Sequence, residues 1–333
     1  MKISVIMIAH NREHMVRNMI QDILGQTWRN FEYIIVDNAS KDGSGRIIDT
    51  YARLDGRIRL VHLTEEVSIG KARNIGLRCS AGDFVTYVDD DDRVEKDFLN
   101  LLGTAADNMD FVMCGTTEMR EGKVYLQCAF EGKYQVNAKL AVEKLLKREH
   151  IRAGMPAKLF RREILLKYPF QEDCVHEDIH TTYKYMSEIR HGVVMGTPKY
   201  CCVRHGDNVS YFTTDFSALQ PEQLDEYLAA YKEREQFISD KLPELTGLAQ
   251  YSTWSFMLSI CRNIVENEIG SCRQQYDGMR RYLLCHEKEI CLSAYTTESE
   301  RAWLERMKNS YEENSHIWDR ESRKENNFAM EPE

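Results

Sequence analysis

The chain has 333 residues, of which 43% are hydrophobic and 29% charged, and its formal net charge at pH 7 is −9. This composition excludes a disordered or collagen-like chain, and the length suits one large domain or two smaller ones. The acidic excess lies after residue 216, where 14 basic residues face 22 acidic ones. Neither part is basic enough to predict binding to nucleic acid or to an anionic membrane surface.

The sequence shows no sign of export or of a membrane span. No apolar stretch reaches the roughly 18–20 residues that a transmembrane helix needs. The first apolar stretch, Ile3–Ala9, is followed by His10-Asn11-Arg12 instead of the small residues of a signal-peptide cleavage site. The ten cysteines include no C-x-x-C pair, so neither a zinc cage nor a redox motif is predicted. We therefore expect a soluble cytoplasmic protein with reduced thiols.

Apolar segments alternate with helical patterns over the first hundred residues. Strands are predicted at Ile3–Ala9, Phe31–Val36, Arg57–His62 and Phe84–Val88. Helices are predicted over 15–24, 47–54, 68–79 (with Ser68 as N-cap) and from Val94 to Leu102. This alternation predicts an α/β fold with a mostly parallel sheet and right-handed crossovers.

The pattern changes in the rest of the chain. Strands are predicted within 110–130 and at 192–203, and helices at 136–147 and 179–189. After Asp215 only amphipathic helices are predicted, over 224–242, 248–268, 276–290 and 299–311. We therefore expect an α/β domain over 1–215, a helical C-terminal region over 216–318, and a disordered polar tail over 319–333.

Polar clusters follow three of the predicted strands. They are His10-Asn11-Arg12 after the first strand, Asp37-Asn38-Ala39-Ser40 after the second, and Asp89-Asp90-Asp91-Asp92 after the fourth. In an open parallel sheet, ligands bind beyond the carboxyl ends of the strands. The three clusters are therefore expected to lie on one edge of the sheet and to form a site there.

The four aspartates are the strongest single feature. Adjacent carboxylates repel one another, so the run needs a counter-charge. A divalent cation such as Mg²⁺ or Mn²⁺ binds one or two carboxylates together with the phosphates of a substrate. The alternative is a solvated acidic turn that caps a helix starting at Val94. The position directly after a buried strand favours the metal site.

Several other residues have two interpretations. Asp37 could accept a hydrogen bond from a nucleobase or a ribose hydroxyl, or could simply form an Asx turn. Glu177 and Asp178 suit the first turn of a helix even without a catalytic role. His205 could be an ordinary surface-turn residue. His10 and His14 match an inverted zinc-peptidase pattern, but that pattern needs both histidines on one helix, and His10 is predicted at a strand tip.

The order and spacing of these clusters resemble family-2 glycosyltransferases, which are nucleotide-sugar-dependent enzymes with the GT-A fold. The resemblance covers about residues 2 to 212 and is carried by the segments 3–11, 26–27, 31–44, 69–77, 81–92, 158–162, 176–179 and 203–210. Neither G-x-G-x-x-G nor G-x-x-x-x-G-K-[ST] is present. The chain departs from many members at Ala157-Lys158, on the acceptor side, where they carry a Trp-Lys pair.

The resemblance implies a role for each cluster. The residues implied for donor binding are Ala9, His10, Arg12, Asp37, Arg73, Asp89 and Asp90. The implied ligands of a Mn²⁺ or Mg²⁺ cofactor are Asp91, in the family's D-x-D motif, and His205. Asp178 matches the catalytic base. The nucleotide in this family is commonly uridine diphosphate.

The implied reaction is inverting transfer of a sugar to a hydroxyl acceptor in cell-surface glycan synthesis. The acceptor would be a glycan or a lipid-linked saccharide, so peripheral attachment at the inner face of a membrane stays open, as does a homo-oligomer formed through the helical tail. Two alternatives remain: a nucleotidyltransferase or other nucleotide-sugar-binding protein on a similar sheet, and a non-catalytic partner in glycan assembly.

Overall fold

A computed structural model describes residues 1–206 and 219–309, which form two compact units. The first is Met1–His205, and the second begins at Gly206. The predicted boundary at 215, the motif residues 207–210 and the predicted tail over 319–333 lie outside the described residues.

The first unit is built on one mixed sheet. Its strands are β1 (Ile3–Ala9), β2 (Phe31–Asp37), β3 (Ile58–His62), β4 (Phe84–Asp89), β5 (Arg93–Val94), β6 (Phe111–Arg120), β7 (Lys123–Cys128), β8 (Lys133–Val136), β9 (Lys158–Arg161) and β10 (Gly192–Arg204). The order is β3-β2-β1-β4-β9-β6-β10-β5, with β7 on β6 and β8 on β10. The four neighbouring strands β3, β2, β1 and β4 are parallel to one another. Strand β9 runs antiparallel to β4 and β6. The expected α/β class is confirmed.

Helices cover the sheet. Those of the first unit are α1 (Val16–Leu24), α2 (Ser44–Leu54), α3 (Ile69–Cys79), α4 (Phe98–Ala105), α5 (Ala138–Leu146), α6 (Arg162–Lys167) and α7 (Glu177–Met186). The Ser68 side chain caps α3 by accepting a hydrogen bond from the Lys71 backbone N–H at 3.2 Å. Gly76 lets α3 approach β1 closely, because a Cβ at this position would lie 2.6 Å from the Ile6 side chain.

The strand register brings the predicted clusters to one edge. β1 and β2 consist of buried residues along nearly their whole length, as expected for central strands of a parallel sheet. Ala9 at the end of β1 is paired with Asp37, and Ile8 is paired with Asp89. The three carboxyl ends therefore lie side by side, and the loops that follow them share this edge.

Some local features differ from the predictions. Residues 93–94 are not helical but form β5, where Val94 pairs with Tyr200, and the helix that follows starts at Phe98. The short strands β8 and β9 were not predicted either. Each of these strands is defined by pairing with a residue far away in sequence, which leaves no local pattern.

The second unit is helical. Its helices are α8 (Pro221–Lys241), α9 (Thr246–Glu266), α10 (Arg273–Cys285), α11 (Glu287–Leu292) and α12 (Glu298–Asn309). The single helix predicted over 276–290 is two helices, separated at His286. A separate apolar core, with Trp254, Ile264 and Leu283 among its buried members, holds the unit together. In 1–206 and 219–309, no helix is long and apolar enough to cross a membrane.

Candidate active site

The two predicted metal ligands lie together at the sheet edge. The His205 Nε2 atom is 2.8 Å from Asp91 Oδ2, although the two residues are 114 positions apart. The Arg12 guanidinium approaches the same carboxylate at 3.8 Å. The ends of β4 and β10 and the loop after β1 therefore converge on Asp91.

The burial of the other three aspartates, Asp89, Asp90 and Asp92, is not fully offset by nearby positive charge. Burial, reinforced by Asp91, raises the pKa of Asp90 to about 8. Burial also raises the pKa of Asp89, and Arg73 only partly offsets the rise. Asp92 shows the same direction, with burial as the main cause and Asp89 and Asp91 adding to it. Crowded carboxylates with one histidine are a donor set that fits a hard divalent cation.

Arg73 on α3 links this aspartate loop to α7. It is buried, its Nη2 lies 3.2 Å from Asp89 Oδ1, and its Nη1 donates to Glu177 Oε1. The guanidinium also lies 5.7 Å from the ring centroids of Tyr87 and Phe170. Burial alone would lower the pKa of Arg73, but the carboxylates around it raise the pKa above its ordinary value. Arg73 thus stays charged and holds both carboxylates in place.

Glu177 and Asp178 begin α7 but have different surroundings. Glu177 is buried against Arg73, and burial raises its pKa to about 7. Asp178 is only partly buried, and its Oδ1 accepts the backbone N–H of Ile179 at 2.8 Å. Asp178 is close enough to Arg73 to help raise the pKa of that guanidinium. Of this pair, Asp178 is the carboxylate that solvent can reach.

Asp37 is the last residue of β2 and lies at the same edge of the sheet. Its Oδ1 accepts the Ser40 backbone N–H at 3.1 Å, and its Oδ2 lies 2.8 Å from His62 Nδ1. Burial opposes protonation of His62, but its hydrogen bonds to Asp37 and Asp49 raise its pKa. The carboxylate of Asp37 is therefore held in a fixed orientation by Ser40 and His62.

The loop after β1 is fixed to its neighbours by hydrogen bonds. The His10 ring donates through Nδ1 to the Asn38 carbonyl at 2.7 Å, and the His10 backbone N–H donates to Asp90 at 3.1 Å. Ala9, the last residue of β1, is fully buried. The Asn38 side chain pairs twice with the backbone of Val67, at 2.8 and 3.0 Å. All residues predicted for donor binding except Arg73 thus surround the three strand ends, and Arg73 reaches them through Asp89.

Sequence patterns did not point to two residues that shape this site. The Tyr200 hydroxyl accepts the Asp89 backbone N–H at 3.0 Å, and His62 orients Asp37. Both lie within predicted strands, where a tyrosine or a histidine carries no distinguishing signal. Their contacts follow from the folded sheet: the pairing of β3 with β2 sets His62 opposite Asp37, and the Tyr200 side chain reaches Asp89 from β10.

Lys158 carries a buried amine close to Asp178. It is 3% exposed, and its Nζ donates to the carbonyl of Gly154. A Cβ at Gly154 would lie 3.9 Å from Asp178 Oδ2. Burial lowers the pKa of Lys158 to about 8, and Asp178 is among the groups that oppose this shift.

This pKa predicts a pH-dependent contribution to stability. Between about pH 8 and the ordinary lysine value of 10.5, the unfolded chain binds a proton at Lys158 that the folded chain has lost. The contribution of Lys158 to the free energy of unfolding therefore rises with pH across this window. We expect the stability advantage of Lys158→Met over the wild type to shrink from pH 8 to pH 10. Urea unfolding of the wild type and of Lys158→Met at several pH values measures this difference in the free energy of unfolding. Lys123→Met, a substitution at an exposed position, is the control. A difference that does not change with pH would contradict the prediction.

Comparison with known proteins shows which enzymes the chain is similar to. Residues 4–167 match the model of glycosyl transferase family 2. EpsH of Bacillus subtilis (strain 168), named as a glycosyltransferase, is 26% identical over 314 residues, which cover 92% of this chain and 81% of EpsH. Residues 4–167 of the chain are thus similar to glycosyl transferase family 2. The protein is a glycosyltransferase, as the sequence predicted.

Solved structures agree on the fold. Staphylococcus aureus TarS 1–349 in complex with UDP-GlcNAc matches with a TM-score of 0.69 and 18% identity, over 94% of this chain and 92% of that one. The mannosyltransferase PcManGT of Pyrobaculum calidifontis, in complex with GDP-Man and Mn²⁺, matches with a TM-score of 0.54 and 16% identity, over 92% and 84%. The fold of this glycosyltransferase is therefore that of the GT-A enzymes.

Proposed function

We propose that this glycosyltransferase moves a sugar from a uridine-diphosphate sugar to a hydroxyl of a glycan or lipid-linked saccharide, with inversion at the anomeric carbon. One observation carries the proposal. Asp91 and His205 meet at 2.8 Å on the edge that also holds Asp37, and Arg73 connects this edge to the helix of Asp178. This arrangement supports a donor site next to a candidate base.

The donor half uses the ends of β1 and β2. Ala9, His10 and Asp37 would contact the nucleoside, because the Asp37 carboxylate is already oriented by His62 and Ser40. Arg12 would lie toward the diphosphate, since its guanidinium is 3.8 Å from Asp91. The two solved neighbours hold different nucleotides, UDP-GlcNAc in TarS and GDP-Man in PcManGT. The choice of uridine therefore rests on the family resemblance.

Asp91 and His205 would hold a Mn²⁺ or Mg²⁺ ion, with Asp89 and Asp90 beside them. Such an ion neutralises the charge that develops on a leaving diphosphate. The raised pKa values of Asp89 and Asp90 support this assignment, because burial leaves these carboxylates short of positive charge. Arg73 supplies one positive charge on the side of α7, and it keeps Asp89 in position when the donor enters.

Asp178 would accept the proton of the attacking hydroxyl. Its carboxylate is partly exposed at the start of α7, and Oδ1 is oriented by the Ile179 N–H, so Oδ2 is left for the acceptor. A positioned general base contributes typically about 10²–10⁴-fold to the rate. In-line attack on the anomeric carbon, opposite the diphosphate, inverts its configuration.

A donor screen tests the proposal. Purified protein is melted with UDP- and GDP-sugars, each with and without Mn²⁺, since ligands that bind the native state raise the melting temperature. We expect the largest rise with a UDP-sugar plus Mn²⁺, followed by release of UDP when that donor is incubated with an acceptor mixture. Release of pyrophosphate would instead support a nucleotidyltransferase. If no nucleotide sugar raised the melting temperature, the result would contradict catalysis and favour a non-catalytic partner in glycan assembly.

A further inference from the structure

The first unit has a cavity whose lining includes none of the four aspartates 89–92. Its volume is about 290 Å³, and it is lined by residues 127–129 at the end of β7 and by the loop after α5, residues 148–150 and Arg152. This is close to the size of a small-molecule pocket. No residue predicted for donor or metal binding lines it, so the cavity has no role in the mechanism above.

One wall of this cavity is formed by the ring of His150, here called the aromatic wall, which belongs to an aromatic cluster whose other members do not line the cavity. The rings of Phe130 and His150 stack with centroids 4.2 Å apart and an interplanar angle of 17°. Tyr134 adds a third ring 5.4 Å from Phe130, and its hydroxyl lies 3.3 Å from His150 Nδ1. The ring of His150, supported by these two neighbours, offers a flat face with a polar edge, which suits a saccharide because sugars present C–H faces and hydroxyl rims.

The other wall is cationic. The one acidic lining residue, Glu149, is paired with Lys144 at 2.6 Å, and this hydrogen bond lowers the pKa of Glu149. Its charge is therefore balanced, and the guanidinium group of Arg152 gives the lining a net positive charge. Arg152 is exposed, and within the described part of the chain it makes no ion pair and no side-chain hydrogen bond. It can therefore bind a ligand without breaking an existing contact.

The cavity is connected to the candidate base by a short backbone segment. Arg152 is two residues from Gly154, so their Cα atoms are at most about 7 Å apart. Gly154 in turn faces Asp178, whose Oδ2 is 3.9 Å from the position of a Cβ there. The segment is held on α7, because the Thr182 hydroxyl donates to the Ala153 carbonyl at 2.6 Å. A ligand in the cavity would thus lie within reach of an acceptor whose hydroxyl contacts Asp178.

We propose that this cavity is an acceptor subsite for an anionic saccharide unit, bound through its phosphate or carboxylate by Arg152, with Arg148 beside it, and through its ring by the aromatic wall. The inference rests on the proposed function, since it assigns the acceptor class of the same reaction. Guanidinium groups bind both anions through paired hydrogen bonds, which explains why two arginines suit either one. A neutral saccharide would use the aromatic wall alone and would bind more weakly.

Titration calorimetry with small probes tests the subsite. Glucose 6-phosphate, glucuronate and neutral glucose are added to the full chain saturated with UDP and Mn²⁺, so that the donor site is already filled. We expect at least one of the two anions to bind at least about tenfold more tightly than glucose, and Arg152→Gln to remove that advantage, as expected for one charge-assisted hydrogen bond. Comparing the two anions shows whether phosphate or carboxylate is preferred.

The controls separate this inference from the proposed function. Arg53→Gln changes an exposed arginine on α2 and should leave every affinity unchanged. Arg148→Gln provides a second variant in the cavity, and the melting temperature of each variant confirms folding. Equal affinities for glucose and both anions, or an anion affinity that both cavity variants leave intact, would overturn the subsite. Failure to bind UDP before any probe is added would overturn the proposed donor site instead.

Discussion

Asp178→Asn should bind donor and metal normally and lose sugar transfer by about two to four orders of magnitude, the range expected for a lost general base. The substitution keeps the size of the side chain and the hydrogen bond from the Ile179 N–H. It removes only the ability to accept a proton. Initial rates with the donor identified in the screen measure the loss, and the UDP affinity measured in parallel should equal that of the wild type.

Two control variants sharpen this test. Asp173→Asn makes the same chemical change at an exposed position five residues earlier and should leave transfer intact. Glu177→Gln breaks the buried pair with Arg73, so it should cost mainly stability, on the order of 3–5 kcal/mol. Transfer per folded molecule should fall much less than in Asp178→Asn. The reverse order would show that the assignment is wrong, and normal transfer in both variants would place the base elsewhere.

Asp91→Ala should abolish the Mn²⁺-dependent part of UDP binding while the chain still folds. The mutation removes the carboxylate that contacts His205, and with it the predicted metal ligand. It also relieves repulsion, because Asp91 helps raise the pKa of its neighbours Asp89, Asp90 and Asp92. The melting temperature without metal should therefore be at least that of the wild type. UDP titrations with Mn²⁺ and with EDTA measure the metal-dependent part.

Asp107→Ala is the matched control for Asp91→Ala, because Asp107 is an exposed aspartate outside the candidate site. It should bind UDP with the full response to Mn²⁺. If Asp91→Ala kept this response as well, Asp91 would not be a metal ligand. Loss of UDP binding both with Mn²⁺ and with EDTA would point to a direct role of Asp91 in holding the nucleotide.

The position of the site could be predicted because buried parallel strands have a strong local signal. Ile3–Ala9 and Phe31–Val36 are apolar almost throughout, and each of these segments is followed at once by polar residues. Once such segments are assigned to one parallel sheet, their carboxyl ends must share an edge. The proximity of Ala9, Asp37 and Asp89 follows from this topology.

The remaining features depend on contacts between distant residues. Arg93 and Val94 follow four aspartates in a sequence that suits a helix start, yet pairing with β10 makes them a strand. The burial of Lys158 depends on how β9 is inserted between β4 and β6. Likewise, the cavity at Arg152 depends on the loop after α5 meeting the end of β7. Local periodicity contains no information about these pairings.

The buried contact of Arg73 with Asp89 and Glu177 also constrains how the sequence can vary among relatives. A guanidinium paired with two carboxylates in a buried setting cannot be lost alone, since both acids would then lack their partner. Nor can either acid be replaced freely, since the other would face the positive charge alone. The three positions on α3, β4 and α7 are therefore expected to be inherited or exchanged as a set, and they should appear as a covarying group among homologous sequences.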